Sequence, residues 1–299
     1  MISTVHYKNN LPHFFLLKKN ILKQNFTNQK MEFYILTHNN LFCAEYQIKT
    51  IQRFCKDPFI IHIIDSNCGE YPDVSAKLSG ICKESNVDLL KMPNELAMAA
   101  HGSYLLGIKL NYVYNTFVKR QAPKYFAFLD QDMFMYKPFS IIPFLEKHGM
   151  WGDVMEVDNV VSPTLDKKDV VDGPWMIHPW LSFYKFDFVK DFQLDFMPCR
   201  FGNGNFDTGG KMWENFVSKQ GLDKKTYWFR NNINMMYPLE DISNAGPHPY
   251  ETQYFMFNGK LIYGQIQLNN GFIHMLNSPN SSMHPKVAFV KGFLTACLN

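Results

Sequence analysis

The chain has 299 residues, 46% of them hydrophobic, 16% aromatic and 19% charged. That is ample apolar material for a sizeable core and too little charge for a disordered or solvating protein. Thirty basic residues against twenty-seven acidic ones leave a net charge of +3, which gives no electrostatic case for a nucleic-acid partner. Six scattered cysteines without a C-x-x-C or a short cysteine–histidine spacing argue against a disulfide scaffold or structural zinc. They fit a reducing compartment, and the cytoplasm is the expected location. No run approaches 18 apolar residues, so no transmembrane segment is expected.

Residues 1–30 carry no convincing period and read as an N-terminal extension. The patch Phe14-Phe15-Leu16-Leu17 is too short for a signal-peptide core and is followed, not preceded, by lysines. An arm packed on the body and a basic segment touching a membrane surface are both open readings. From residue 31 strands and helices alternate. Glu32–Thr37 reads as a buried strand, Phe42–Cys55 as a helix, and Phe59–Ile64 as a second strand. Asp65-Ser66-Asn67-Cys68-Gly69 is turn chemistry. A helix near Val74–Ser85, a strand at Val87–Met92 and a long helix over Ser103–Arg120 follow. Pro123 then precedes the apolar strand Tyr125–Leu129. This alternation predicts an α/β fold with a mostly parallel, Rossmann-like sheet flanked by helices. Ligands of such sheets bind beyond the carboxyl ends of the strands, where Thr37-His38-Asn39, Asp65 and Asp130/Asp132 all fall.

The second half differs. All five tryptophans and twelve of the seventeen glycines lie after residue 150, and loops rich in Asn, Gly and Pro interrupt the pattern. A boundary is placed near Lys137-Pro138, giving halves at 31–137 and 138–299, although Asp153–Val157 and Leu181–Phe186 can extend the sheet.

Asp130-Gln131-Asp132 is the main chemical signal. Two carboxylates one residue apart at a strand end can turn toward one cation, and hard oxygen ligands suit Mg²⁺ or Mn²⁺. The plainer alternative is a pair of solvated aspartates. Here they interrupt an otherwise apolar segment between Leu129 and Met133, and charge placed there needs a partner.

Tyr34–Asn39 followed by a helix, then Ile63-Ile64-Asp65-Ser66-Asn67-Cys68-Gly69, resembles the opening of GT-A-fold glycosyltransferases, closest to the family 2 type. The helix with Gly107, Lys109 and Asn111, leading into Tyr125–Asp132, resembles that group's approach to its D-x-D strand. The similarity covers about 31–137, with a looser match to about 221. It implies a metal-dependent, hexosyltransferase-like enzyme that moves a sugar from a nucleoside-diphosphate donor, UDP favoured, to a hydroxyl acceptor. Thr37, His38, Asp65 and Asp130 would then line the nucleotide-sugar site, and Asp130 and Asp132 would hold the cation. The segment 138–299 would be the less regular acceptor-binding half of the same domain, for a glycan, lipid-linked or protein acceptor. The turn departs from the family pattern in continuing Cys68-Gly69-Glu70, so base contacts can differ.

The same resemblance points to Asp207 as the base of an inverting reaction, because it opens an apparent helix at Lys211–Lys219; a helix N-cap is the alternative. Glu240-Asp241 is the competing acidic pair. His274, ending the apolar run Gly271–Ile273, is the candidate third metal ligand, with His284 its competitor and a satisfied core histidine the plain alternative. Pro174–Trp180 reads as a Trp-rich loop in which Trp175 and Trp180 stack on acceptor sugars, with core packing as the other reading. Its His178 shows no second ligand nearby, so no metal role is expected of it. Two other classes stay open: a haloacid-dehalogenase-like phosphatase with Asp130 as nucleophile, and a non-catalytic nucleotide-sugar-binding protein.

Overall fold

The computed structural model describes residues 29–67, 69–98, 102–156, 175–201, 204–217, 252–257, 260–265, 267–269, 271–275 and 285–299. Residues 1–28, Glu240-Asp241 and His284 lie outside the described residues. β1 (Met31–Thr37), α1 (Leu41–Phe54), β2 (Phe59–Asp65), α2 (Pro72–Ser85), β3 (Asp88–Lys91) and α3 (Gly102–Val113) follow in order. After α3 the helix continues through a π turn at Tyr114–Val118 to Gln121, and the chain enters β4 (Tyr125–Asp130). β5 (Met133–Met135), α4 (Ile142–His148), β6 (Met150–Glu156) and β7 (Trp175–Lys185) come next.

Among the described residues the main sheet has six strands in the order β3-β2-β1-β4-β7-β6. β1 pairs in parallel with both β2 and β4, and β2 with β3. The expected mostly parallel α/β sheet is therefore present, and β7 and β6 close it as antiparallel strands. The central parallel strands β1 and β4 are buried on both sides because both sheet faces are covered, whereas β3, at the edge, is Asp-Leu-Leu-Lys with exposed ends. Phe33 and Ile35 enter one core cluster with Ile63, Ala127 and Trp151. Tyr34 and Leu36 enter the other, with Phe126, Phe128 and Tyr114 of the helical layer. No helix among the described residues is long and apolar enough to cross a membrane. The five described cysteines are free thiols.

One expectation needs correction. The Trp-rich segment is not a loop: Trp175–Lys185 is one eleven-residue strand lying between β4 and β6. Residues 181–185 pair with β4, and β6 pairs with 182–184 and 175–177. His178-Pro179-Trp180 falls between those paired stretches, where a residue without an N–H removes no ladder bond.

The loop before β2 supplies a buried cap for a helix far along the chain. Asp57 is 8% exposed. Its carboxylate accepts from the Ser140 hydroxyl and from the N–H groups of Ile141 and Ile142, at the start of α4. Asp57→Ala strands those donors without a charged acceptor, so urea unfolding should show a loss of about 2–4 kcal/mol. A loss below half a kcal/mol would show that water replaces the carboxylate.

Candidate metal centre and adjoining cavity

The parallel register brings the strand ends level. Thr37 stands opposite Asp65, and Leu36 opposite Asp130. The chain turns immediately after Asp130, and β5 leaves in a different sheet, so Asp130-Gln131-Asp132 forms the rim. Gln131 is not a spacer alone, because its Oε1 accepts the His38 N–H at 3.1 Å. Gln47 of α1 donates from Nε2 to the Asp130 carbonyl at 2.7 Å. These two contacts tie the acidic turn to the end of β1 and the helix that follows it.

His274 arrives from the far end of the chain. β8 (Phe272–His274) pairs antiparallel with β5, setting His274 opposite Met133. The next N–H, that of Met275, donates to the Asp132 carbonyl at 3.0 Å. The His274 Nε2 consequently sits 3.2 Å from Asp132 Oδ1, and both residues are buried. Asp130, Asp132 and His274 each offer a ligand atom within 4.8 Å of the other two. Two carboxylates and an imidazole at that spacing fit a divalent cation of the Mn²⁺ or Mg²⁺ kind, which would be held by these three groups. Burial and then the neighbouring Asp132 charge push the Asp130 carboxyl up to about 7, against an opposing effect of His274.

Beside the rim lies a cavity of about 320 Å³, lined by Leu36, His38, Ser66, Leu105, Leu106, Lys109 and the Asp130–Asp132 turn, with Gly102 at its edge. It combines apolar walls with a few polar groups, as small-molecule sites do. Lys109, on α3, is buried and donates from Nζ to the Ser66 carbonyl at 2.7 Å. Burial and then the Lys109 charge hold the His38 imidazole below its ordinary value, so the ring is neutral at pH 7.

The other expected donor-site residues sit differently. Thr37 is fully buried and Asp65 is 4% exposed, and neither belongs to the cavity lining. Asp65 Oδ1 accepts from both the Asn67 N–H and the Asn67 side-chain amide, at 3.1 and 2.9 Å. Its visible work is to fold the turn after β2, the plainer role a turn aspartate can take.

Asp207 is exposed at the turn before Lys211. Desolvation works against its charge. Bonds from the Ser103 hydroxyl and the Thr208 N–H nonetheless hold the carboxyl below its ordinary value. That direction is opposite to the tuning toward neutrality expected of a base beside apolar groups. Asp207, His178 and the acidic rim are near enough to influence one another's charge. Thr208 pins this turn to the start of α3, its hydroxyl donating to the Ser103 carbonyl at 3.1 Å.

Both tryptophans expected on the acceptor side are buried. Trp175, 4% exposed, packs in the second core cluster, 6.4 Å from the Trp213 ring. Trp180 is 9% exposed and lies beside two imidazoles, 4.2 Å from His178 and 4.4 Å from His274. The core alternative therefore describes Trp175, and an acceptor platform needs an accessible ring face that neither residue offers. His178, set aside in the sequence, is part of this cluster, and burial drives its imidazole down to about 4.

No protein-family model and no curated protein matches the chain. Partial similarity to solved structures is found. S. aureus TarS is 10% identical, with a TM-score of 0.34 over 56% of this chain and 30% of that one. The mannosyltransferase PcManGT from Pyrobaculum calidifontis, solved with GDP-Man and Mn²⁺, is 13% identical. Its TM-score is 0.32 over 57% of this chain and 51% of that one. The galactosyltransferase LgtC, solved with donor and acceptor sugar analogues, is 13% identical, with a TM-score of 0.33 over 52% and 58%. The chain thus spans less than two thirds of each of these structures. The overlaps are too slight to carry a functional argument, which falls to the residues of the site.

Proposed function

We propose that the chain is a metal-dependent glycosyltransferase that moves a sugar from a nucleoside-diphosphate donor, UDP-sugars first, to a hydroxyl acceptor. The observation that carries this reading is the Asp130–Asp132–His274 cluster at the carboxyl rim of a parallel sheet, opening beside a 320 Å³ cavity. A divalent cation held there would offset the negative charge gained by a departing diphosphate. The chain's own residues supply the rest. His38 and Leu36 line the nucleoside end of the cavity, and Asp130 faces it from the rim. Asp207 takes the proton from the acceptor hydroxyl in an inverting transfer, with acceptors drawn from glycans, lipid-linked sugars or proteins. The half at 31–137 handles the donor and the segment from 138 the acceptor, with β6 and β7 extending the donor-side sheet. Free thiols support work in a reducing compartment such as the cytoplasm.

Lys109 adds a positive charge to the cavity wall opposite a phosphorylated ligand. Lys109→Met should weaken nucleoside-diphosphate binding by about 10–100-fold while leaving the uncharged nucleoside unaffected, measured by calorimetry. Equal losses for both would remove Lys109 from phosphate contact.

The reading is tested by incubating the protein with UDP-, GDP-, CDP- and TDP-sugars and Mn²⁺, following release of the nucleoside diphosphate. Release from one donor class that stops with chelator is the expected result. Turnover of simple phosphate esters in place of any donor would replace it with the phosphatase reading.

A further inference from the structure

We infer that Trp180 and His178 are positioning residues, a ring stack that fixes the His274 imidazole for the cation; the inference rests on the cation reading above. Pairing of β8 with β5 sets the backbone of His274, while the terminal torsion of a histidine is intrinsically broad. The 3.2 Å approach of Nε2 to Asp132 Oδ1 restrains the ring at one edge, and neighbouring rings add to that restraint. The Trp180 ring meets the His274 ring edge-on, at 4.4 Å and 75°. Trp180 also lies against the His178 ring, at 4.2 Å and 35°. The Trp180 N–H donates to His178 Nδ1 at 3.4 Å, which assigns the neutral ring's proton to Nε2.

The cluster also packs against a neighbouring turn. Gly209, with φ at +93°, lies close enough to Pro179 that a Cβ there would stand 3.1 Å from Pro179 Cδ. The turn that carries Asp207 thus packs against the residue between His178 and Trp180. With both its aromatic members buried, the cluster has the character of an outer shell that orients a ligand.

The test is titration with Mn²⁺ alone, reading the free ion by its paramagnetic resonance signal, on wild-type, W180A, W180F, H178Q, H274A and the W180A/H274A double variant. W180A should bind Mn²⁺ about 10–100-fold more weakly, the usual cost of losing an outer-shell partner. W180F, which keeps a ring in that place, should recover most of the affinity, and H178Q should lose it in part. The double variant should bind no more weakly than H274A alone, because the ring acts through His274. Wild-type affinity in folded W180A, or additive losses in the double variant, would overturn the assignment. If W180A does not fold, H178Q decides, and wild-type affinity there would overturn it equally. A wild-type chain that binds no Mn²⁺ would instead overturn the cation reading itself.

Discussion

Asp132→Asn is expected to abolish Mn²⁺-dependent binding of a nucleoside diphosphate, a loss of at least about 100-fold, while leaving the fold intact. The substitution keeps the shape of the side chain and removes the charge that stands 3.2 Å from His274 Nε2. Its backbone carbonyl, which receives the Met275 N–H, is untouched, so β8 remains docked. Calorimetric titration with and without Mn²⁺, beside a thermal melt in chelator, separates the two effects. Unchanged metal-dependent binding would take Asp132 out of the site, and with it the purpose of the His274 approach.

Asp207→Asn should lower transfer by about 10²–10⁴-fold with donor affinity preserved, if this carboxylate accepts the acceptor proton. Its pH dependence follows from the direction of its shift. A carboxyl held below its ordinary value is already ionised through the neutral range. The acid limb of kcat/KM should therefore fall below the usual carboxylate titration, and the rate should be flat in this group from pH 5 upward. Wild-type rates in D207N would leave only its turn-forming role, in which Oδ1 accepts the Thr208 N–H at 2.6 Å.

Residues 31–137 were largely legible because their signals are local. β1, β2 and β4 are mainly apolar runs ending in polar turn residues. The convergence of Thr37, Asp65 and Asp130 at one rim follows from parallel pairing alone. Long-range pairing was not legible. Nothing near His274 says that Phe272–His274 pairs with Met133–Met135, although that pairing is what delivers the imidazole to Asp132. His178 was dismissed for want of a neighbouring ligand in the sequence; in space its partners are Trp180 and the charge of Asp207.

Two expectations met surroundings that the sequence does not display. The tryptophans of 174–180 read as a sugar platform because aromatic faces stack on sugar rings, yet Trp175 and Trp180 are buried in a strand. Asp65 sits at the right strand end for a nucleoside, but Asn67 two residues later takes its Oδ1. In both, residue type was informative and orientation was not, since burial is decided by elements that join the site from elsewhere. Lys109 shows the reverse: a lysine on a helix face reads as surface, whereas the Ser66 carbonyl draws it inside.

The most direct test of the central claim is titration of the wild-type protein with UDP, GDP, CDP and TDP, each with and without Mn²⁺. The account predicts that one nucleotide binds, that Mn²⁺ tightens it, and that removing the metal with chelator reverses the gain. A folded protein that binds none of the four, in either condition, would contradict it.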